Sequence, residues 1–497
     1  MFSTASHTRI ARAIWRATIA GSSLAAAGMA GAQSRPASTS QITQAEAQQG
    51  AQANVQILQE FGGAMTGPQA QYVETIGKTI AVQSGLGNAR DSFNVALLNS
   101  SVNNAFAIPG GYIYTTRQLV ALMNNEAELA GVLGHEVAHV AARHSQRRQQ
   151  TAQRNGILGA LGSVLSGVLL GNSQIGQAIS QGIQQGSQLL TLKFSRSQEL
   201  EADKLGQQYL TRAGYDPHAM ATVLASLAQQ NTLDARLQGR NSALVPAWAS
   251  THPDPASRVS TANRNAGSAS GLTNRDSFLT RIDGLIYGDD PKQGVIEGQQ
   301  FLHPDLQLSF TAPNGFYMVN GTSAVSVNGQ SGQAQLTLGR YNGNLTNYVS
   351  AAFQQLGGQS GQLQPSAIQR TTVNGIPAAY ATARANTNNG QVDVTIFAYE
   401  FARDRAYHFQ AITPAGRSGV FNPMFGSMRR ITSTEAARIV PRRIDVVTVG
   451  ARDTVQTLAS RMAYTTGQVE RFRVLNGLNS TAAVRAGQKV KLVVYSR

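Results

Sequence analysis

Two histidines four residues apart, with a glutamate next to the first, constrain this chain more than any other feature. They lie in Gly134-His135-Glu136-Val137-Ala138-His139, inside an apolar-periodic run from Gln118 to His144. That periodicity predicts a helix, and residues four apart on a helix share one face. His135 and His139 can then aim two imidazoles at one metal ion. Glu136 sits one residue round, where its carboxylate reaches a water on that metal. Zinc lowers the pKa of such a water to about 7. A neighbouring carboxylate takes the proton and later passes it to a leaving amine. The motif is short enough to arise by chance, so its weight comes from the helical context and from a third ligand downstream.

The chain has 497 residues, of which 13% are charged, with 49 glycines. Its length allows roughly three domains of ~100–200 residues each. The composition fits a globular secreted protein with Gly-, Ser- and Gln-rich connections. It contains no cysteine, which excludes disulfides, thiolate metal ligands, a cysteine nucleophile and a lipidated-cysteine anchor.

The first residues are predicted to be a secretory signal. Arg9, Arg12 and Arg16 form a basic region, Ala17 to Ala30 is weakly apolar, and Ala30-Gly31-Ala32 is a cleavage site. Residues 1–32 are thus the expected signal peptide, 33–50 a mobile linker, and the periplasm the expected compartment. An uncleaved amphipathic anchor is the alternative, since a spanning helix needs ~20 apolar residues. Formal charge is +15, or 15 − 3 = +12 without the signal arginines. That charge suits an anionic membrane surface or cell-wall polymer. Nucleic acid is not expected as a partner of a secreted chain.

Taken in order, Ala51 to Gly85 is helical in pattern, and Phe93–Leu98 is strand-like. Asn103–Tyr114 reads as two short strands about a Pro109-Gly110-Gly111 turn. The first of them, Ala105-Phe106-Ala107-Ile108, is either an edge that pairs with a substrate strand or an ordinary core hairpin. His144 falls five residues past His139, off the metal-facing line, and reads as a structural or surface histidine. Residues 155–190 carry apolar side chains among glycines and no charge. They are predicted to form a hairpin that rests on a membrane through residues 157–190, covers the active site, or packs in the core. A helix from Phe194 to about Ala213 places Glu199 and Asp203 on one face. A further helix runs from His218 to Gln230. Then come a loop with Thr251-His252-Pro253 and helical patterning at Ala256–Ala262.

Residues 267–300 read as a linker with a connecting helix. From 301 to 432 alternating strand-like runs surround a helical Leu345–Leu356. This is the pattern of an α+β accessory domain and loosely resembles PsbP/DcrB-like domains. Residues 444–497 read as strand, helix, helix, strand. They resemble a LysM domain through Asp453-Thr454-Val455, Leu475-Asn476-Gly477-Leu478 and Ala486-Gly487-Gln488. That resemblance implies binding of N-acetylglucosamine in peptidoglycan. The alternative is a module that only packs against its neighbour.

Five separated motifs carry a further resemblance: Ala105–Gly111, Glu128-Leu129-Ala130, the His-Glu-x-x-His helix, Ser195-Arg196 to Asp203, and Thr251-His252-Pro253 with Arg258. Together they resemble the gluzincin zinc metallopeptidases of the HtpX, CAAX prenyl endopeptidase and BepA-like family, over about residues 50–265. The resemblance implies a mainly α-helical zincin domain with a small β-sheet over 51–266, within a multidomain chain. It implies one zinc held by His135, His139 and Glu199, with Glu136 as general base. Asp203 would support a ligating histidine, and Glu201 would point elsewhere. His252 would lie near the zinc, stabilising the oxyanion or occupying the open site at rest. Arg258 would hold a substrate carbonyl or a carboxylate, or else an ion pair of its own helix. The implied activity is a zinc metalloendopeptidase of the cell envelope acting on misfolded or misassembled envelope proteins, as in outer-membrane quality control. A glycan-binding or chaperone-like protein with a self-blocked zinc site is the second reading. An aminopeptidase is weaker, because no anchor for a free amine is present.

Overall fold

The computed structural model describes residues 41–148, 194–237, 252, 255–322, 324–357, 363–387 and 389–496. The signal peptide and the 155–190 hairpin expected above lie outside the described residues. The described residues belong to one compact unit that runs from Ser40 to Arg497.

The chain enters through helix α1, Gln44–Glu60, whose first turn is closed by a reciprocal Thr43–Glu46 capping box. The expected linker over 33–50 is therefore corrected at its C-terminal end. Its Gln- and Ala-rich composition looks mobile, but Ala and Gln are good helix formers once a cap is supplied. Gly50 in α1 lies so close to the Pro109 carbonyl and the Tyr112 ring that a Cβ would clash. Gly62 and Gly63, both at positive φ, separate α1 from α2, Pro68–Ala81. One predicted helical stretch is thus two helices.

Strands β1 (Asn94–Leu98), β2 (Ala105–Ile108) and β3 (Tyr112–Thr116) form a sheet in the order β1-β3-β2. Strand β2 is an edge, antiparallel to β3. Thr116 N donates to Asn104 O at 3.0 Å. By the alternation of antiparallel ladders, the main-chain groups of Ala105 and Ala107 then face away from β3.

The predicted helix from Gln118 to His144 is also two helices. Helix α3, Arg117–Leu122, ends at Met123, and α4, Glu126–Ala141, starts afresh with Asn125 capping Glu128 N. Asn side chains offer the backbone an alternative to helix, which places a break at Asn124-Asn125. At the start of α4 the buried Glu126 accepts from Tyr215 Oη and Asn274 Nδ2, both at 2.8 Å, and from Tyr72 Oη at 2.5 Å.

Helix α5, Arg196–Arg212, carries a Ser195–Gln198 capping box. It crosses α4 where Gly134 meets Gly206. A Cβ on Gly206 would stand 3.0 Å from His135 N, so any larger residue would have to push the two helices apart. Helices α6 (Ala219–Leu237) and α7 (Pro255–Ala266) back α5. Among the described residues, no helix is long and apolar enough to cross a membrane.

Residues 267–300 carry the expected connecting helix and more structure besides. Helix α8, Arg275–Ile282, buries Phe278, Leu279 and Ile282, and β4, Ile286–Tyr287, joins a sheet with residues far downstream. Polar contacts hold this stretch. The buried Arg117 donates to Gly288 O at 2.5 Å and to Ile286 O at 3.2 Å. Asn99 and Ser101 donate to Asp290 and Asp289 at 2.9 and 2.7 Å.

The accessory region follows. Strands β5 (Val295–Glu297), β6 (Gln300–His303), β7 (Leu308–Thr311), β8 (Tyr317–Asn320), β9 (Val325–Gly329) and β10 (Gly332–Leu338) precede helix α9 (Leu345–Gly357). Strands β11 (Gln369–Val373), β12 (Ile376–Thr387), β13 (Gly390–Ala402), β14 (Arg405–Pro414) and β15 (Arg429–Arg430) follow it. A seven-stranded sheet, β11-β12-β13-β14-β10-β9-β8, stands beside a four-stranded one, β15-β7-β6-β5. Alternating burial along β10 reflects the period-two pattern seen in the sequence.

The chain then returns as β16 (Arg442–Thr448), α10 (Val455–Ala459), α11 (Gln468–Leu475) and β17 (Lys489–Tyr495). Strand β16 lies between β17 and β4, pairing Arg442 with Tyr287 and Arg443 with Ile286.

Candidate metal centre

Helix α4 presents His135, Glu136 and His139, all buried. The glycine crossing brings Glu199 and Asp203 of α5 against them. His135 Nε2 and His139 Nε2 are 3.0 Å apart. Glu199 Oε2 lies 3.4 Å from His135 Nε2, and Glu199 Oε1 lies 3.6 Å from His139 Nε2. The fourth donor is His252, whose Nδ1 is 3.3 Å from His135 Nε2 and 3.1 Å from both Glu199 oxygens.

These residues fit zinc. Tetrahedral Zn–N and Zn–O bonds of about 2.1 Å imply donor separations of about 3.4 Å, close to the spacings found. The donor set is imidazole and carboxylate, as zinc prefers, and its atoms all lie within 4.8 Å of one another. Glu136 is fully buried beside them, and neither of its oxygens has a hydrogen-bond partner among the described residues. A buried carboxylate without a partner is costly, which fits a group that acts on something bound in the site. Burial pushes its pKa up.

Outer contacts orient the donors. Asp203 Oδ1 is 3.0 Å from His135 Nδ1, so a proton of His135 is fixed on Nδ1 and a metal would take the place of the one on Nε2. Burial works against a charged His135, but Asp203 and Glu199 together push its pKa up to about 9. Burial also raises the Glu199 carboxyl, and His252 and His135 outweigh it, holding Glu199 well below the usual carboxylate range. Burial and the neighbouring His135 keep His139 neutral.

Arg258 differs from one reading of the sequence. It is 2% exposed and forks Asp203, with Nε to Oδ2 at 2.8 Å and Nη2 to Oδ1 at 2.6 Å. Its Nη1 lies 2.8 Å from Glu199 Oε2. The guanidinium holds the two carboxylates, which is the carboxylate-holding alternative of the sequence reading. A bidentate fork is the geometry arginine favours with carboxylates.

His252 bridges two features. Its Nε2 lies 3.3 Å from Ala105 O, on the open edge of β2, and 3.5 Å from Glu136 Oε1. Of the expected edge, Ala105, Phe106, Ala107 and Ile108 are all buried. Phe106 and Ile108 pack into a cluster with Ile57 and Phe61 of α1, while Ala107 faces the main core.

The sequence reading missed two neighbours of His139. Phe194 stacks on its ring at 3.9 Å and 18°. His144, fully buried, places Nδ1 2.8 Å from His139 Nδ1. Glu201 points away from the donors, as expected, and pairs with Arg147 at 2.8 Å.

Two buried imidazoles and a carboxylate converging on one point, with a second carboxylate that has no hydrogen-bond partner among the described residues alongside, define an HExxH metallopeptidase centre. Residues 68–266 match peptidase family M48. Over 197 residues the chain is 36% identical to the beta-barrel assembly-enhancing protease of Yersinia pestis and 31% identical to that of Escherichia coli (strain K12), covering 39% of this chain and 38% of each relative. It is 29% identical over 207 residues to the mitochondrial metalloendopeptidase OMA1 of Schizosaccharomyces pombe, covering 41% of this chain and 56% of that one. Residues 68–266 are thus similar to the zinc-dependent peptidases of family M48. The chain spans well under half the length of the two bacterial relatives. A solution structure of cyanobacterial PsbP from Synechocystis sp. PCC 6803 aligns at 13% identity with a TM-score of 0.22, too low to bear on the accessory region.

Proposed function

We propose that this chain is a zinc endopeptidase of the bacterial cell envelope that hydrolyses misfolded or misassembled envelope proteins. The observation that carries the proposal is the buried His135–His139–Glu199 donor set with Glu136, which lacks a hydrogen-bond partner among the described residues, beside it. The substrate class and the periplasmic setting extend from the bacterial relatives, whose name speaks of β-barrel assembly.

Zinc held by His135, His139 and Glu199 would supply Lewis-acid polarisation of a peptide carbonyl and a lowered water pKa. Glu136 takes a proton from the attacking water on a carboxylate oxygen and returns it to the leaving amide nitrogen. Burial, by raising its pKa, makes it a better proton acceptor at neutral pH. Asp203 fixes the His135 proton on Nδ1, and Arg258 keeps Asp203 and Glu199 ionised and in place.

A substrate backbone pairs with the outward-facing groups of Ala105 and Ala107. A pocket lined by Ala107, Ile108, Pro109, Val140 and Arg143 beside His139 leaves room for one of its side chains. His252 occupies two of the positions such a substrate needs, one donor corner and the Ala105 carbonyl. The described arrangement is therefore a self-blocked resting state, and His252 must swing away before a chain binds.

Zinc content and casein cleavage by the purified chain test this. We expect about one zinc per chain, and a loss in Glu136→Gln of a hundredfold or more, on the order seen for removal of a general base. His252→Ala is expected to cleave faster than the unaltered chain. Zinc-free protein, or equal cleavage by Glu136→Gln, would sink the proposal. The fourth-corner His252 also favours the second reading, a glycan-binding or chaperone-like protein whose centre stays closed. Retention on peptidoglycan sacculi, competed by N-acetylglucosamine oligomers, with no cleavage by either His252 form, would select it.

A further inference from the structure

The two histidine ligands are supported differently. His135 gives its second nitrogen to a carboxylate, Asp203, the usual arrangement for a metal-binding histidine. His139 has no carboxylate there. Its Nδ1 faces another imidazole, His144 Nδ1, at 2.8 Å. Two ring nitrogens at that distance need one proton between them.

We propose that His144 and Glu201 are positioning residues that fix the tautomer and the ring orientation of His139. This rests on the reading of His139 as a zinc ligand. A histidine that binds through Nε2 carries its proton on Nδ1, so His139 Nδ1–H donates to His144 Nδ1. The proton of His144 is then on Nε2, which lies 3.2 Å from Glu201 Oε2 and donates to it. Glu201 Oε2 also accepts from Arg147 Nη2 at 2.8 Å. Every proton has a place and every acceptor a donor. The opposite tautomer fails twice. It puts a proton on His139 Nε2, among the metal donors, and it turns a bare His144 nitrogen toward a carboxylate.

The backbone explains why a residue five places on can do this. Helix α4 ends at Ala141, and Arg143 adopts a left-handed conformation at φ 54°. That turn folds His144 back under His139. The turn is pinned by Arg143 Nη2 donating to Gln41 O at 2.9 Å, by an Arg143–Glu46 ion pair, and by Gln198 Nε2 donating to His144 O at 3.1 Å. Phe194, stacked on the His139 ring, blocks its rotation the other way. His139 is thus held in-plane by His144 and across its face by Phe194.

The experiment is zinc affinity, measured on the full chain by competition with a chelator, alongside the thermal midpoint of the metal-free form. His144→Ala is expected to bind zinc 10- to 100-fold more weakly, the range for lost outer partners. His144→Asn puts an amide oxygen where Nδ1 sits and is expected to recover most of the affinity. His144→Gln, which reaches only the Nε2 position, is not. Glu201→Gln changes a half-exposed side chain that cannot decide folding, and it is expected to weaken binding several-fold at an unchanged midpoint. Unaltered affinity in both His144→Ala and Glu201→Gln, or a His144→Asn as weak as His144→Ala, overturns the proposal. The readout needs no proteolysis, so a chain that binds zinc but cleaves nothing leaves the relay standing. A wild type that binds no zinc sinks both.

Discussion

The accessory region and the C-terminal βααβ module both lie outside the peptidase domain, yet they are joined to it in opposite ways. The accessory sheets bury Phe301, Phe310, Tyr399 and Phe409 on one face and Val349, Phe353, Val394 and Ile396 under α9 on the other. Every member of those two clusters belongs to the accessory region. Ile444, Leu458, Phe472, Val490 and Leu492 of the module belong instead to the same cluster as Leu129, Leu133 and Val137 of the metal-binding helix. One region is attached and the other is part of the core. A module that resembles an independent glycan binder in sequence therefore serves as a wall of the peptidase, whatever else it binds.

Deletion gives the largest expected contrast. Strand β4 pairs with the start of β16, so residues 295–440 can be replaced by a short Gly/Ser linker. That variant is expected to stay folded and to keep its zinc. Removing 442–497 strips the core and is expected to abolish folding, read by circular dichroism and zinc content. Equal outcomes for the two deletions would erase the comparison.

A single side chain should reproduce part of that effect. Lys491 is fully buried and donates to Ala121 O at 2.8 Å, to Leu122 O at 3.2 Å and to Met123 O at 2.5 Å, the open carbonyls at the end of α3. Its charge also faces the buried Glu128. Lys491→Met leaves those groups without a cation and is expected to cost about 4 kcal/mol in denaturant unfolding. The accessory region should answer to acid instead. Burial lowers the pKa of His408 to about 4 from 6.5. The unfolded chain takes up a proton below pH 6.5, while the folded chain resists until about 4. Stability should then fall by about 3 kcal/mol as pH drops through that window. Hydrogen exchange in β13 and β14 would report it, and His408→Gln should flatten the slope. The smallest effect is expected at the exposed Arg236–Glu470 pair, 3.4 Å apart between α6 and α11. There Arg236→Ala should cost less than about 0.5 kcal/mol.

What the sequence revealed follows from range. His135 with His139, and Glu199 with Asp203, are each one helical turn apart, so spacing alone put each pair on one face. The alternation along β10 and β12 was equally local. What brings the two ligand helices together is a Gly134–Gly206 contact, which no periodicity announces. His144 eluded helical projection because the helix stops at Ala141 and Arg143 reverses the chain. Arg258 was recognisable as a site residue with its role left open between a carbonyl and a carboxylate, since only the fold shows Asp203 and Glu199 in front of it. The 267–300 stretch looked like a linker because hydrogen bonds to Arg117 and Asn99, more than apolar pattern, hold its second half. The accessory region's place as an excursion between β4 and β16 rests on a strand of two residues, too short to read.

The Lys491–Ala121 contact joins residues 370 positions apart. Ribosomes add ~5–20 residues per second, so tens of seconds separate the synthesis of the metal-binding helix from that of the strand that seals its core. The whole accessory region is made in between and can fold on its own core meanwhile. Contacts of such long range are also slow to form. The core around the metal-binding helix is therefore completed late, around donors made early.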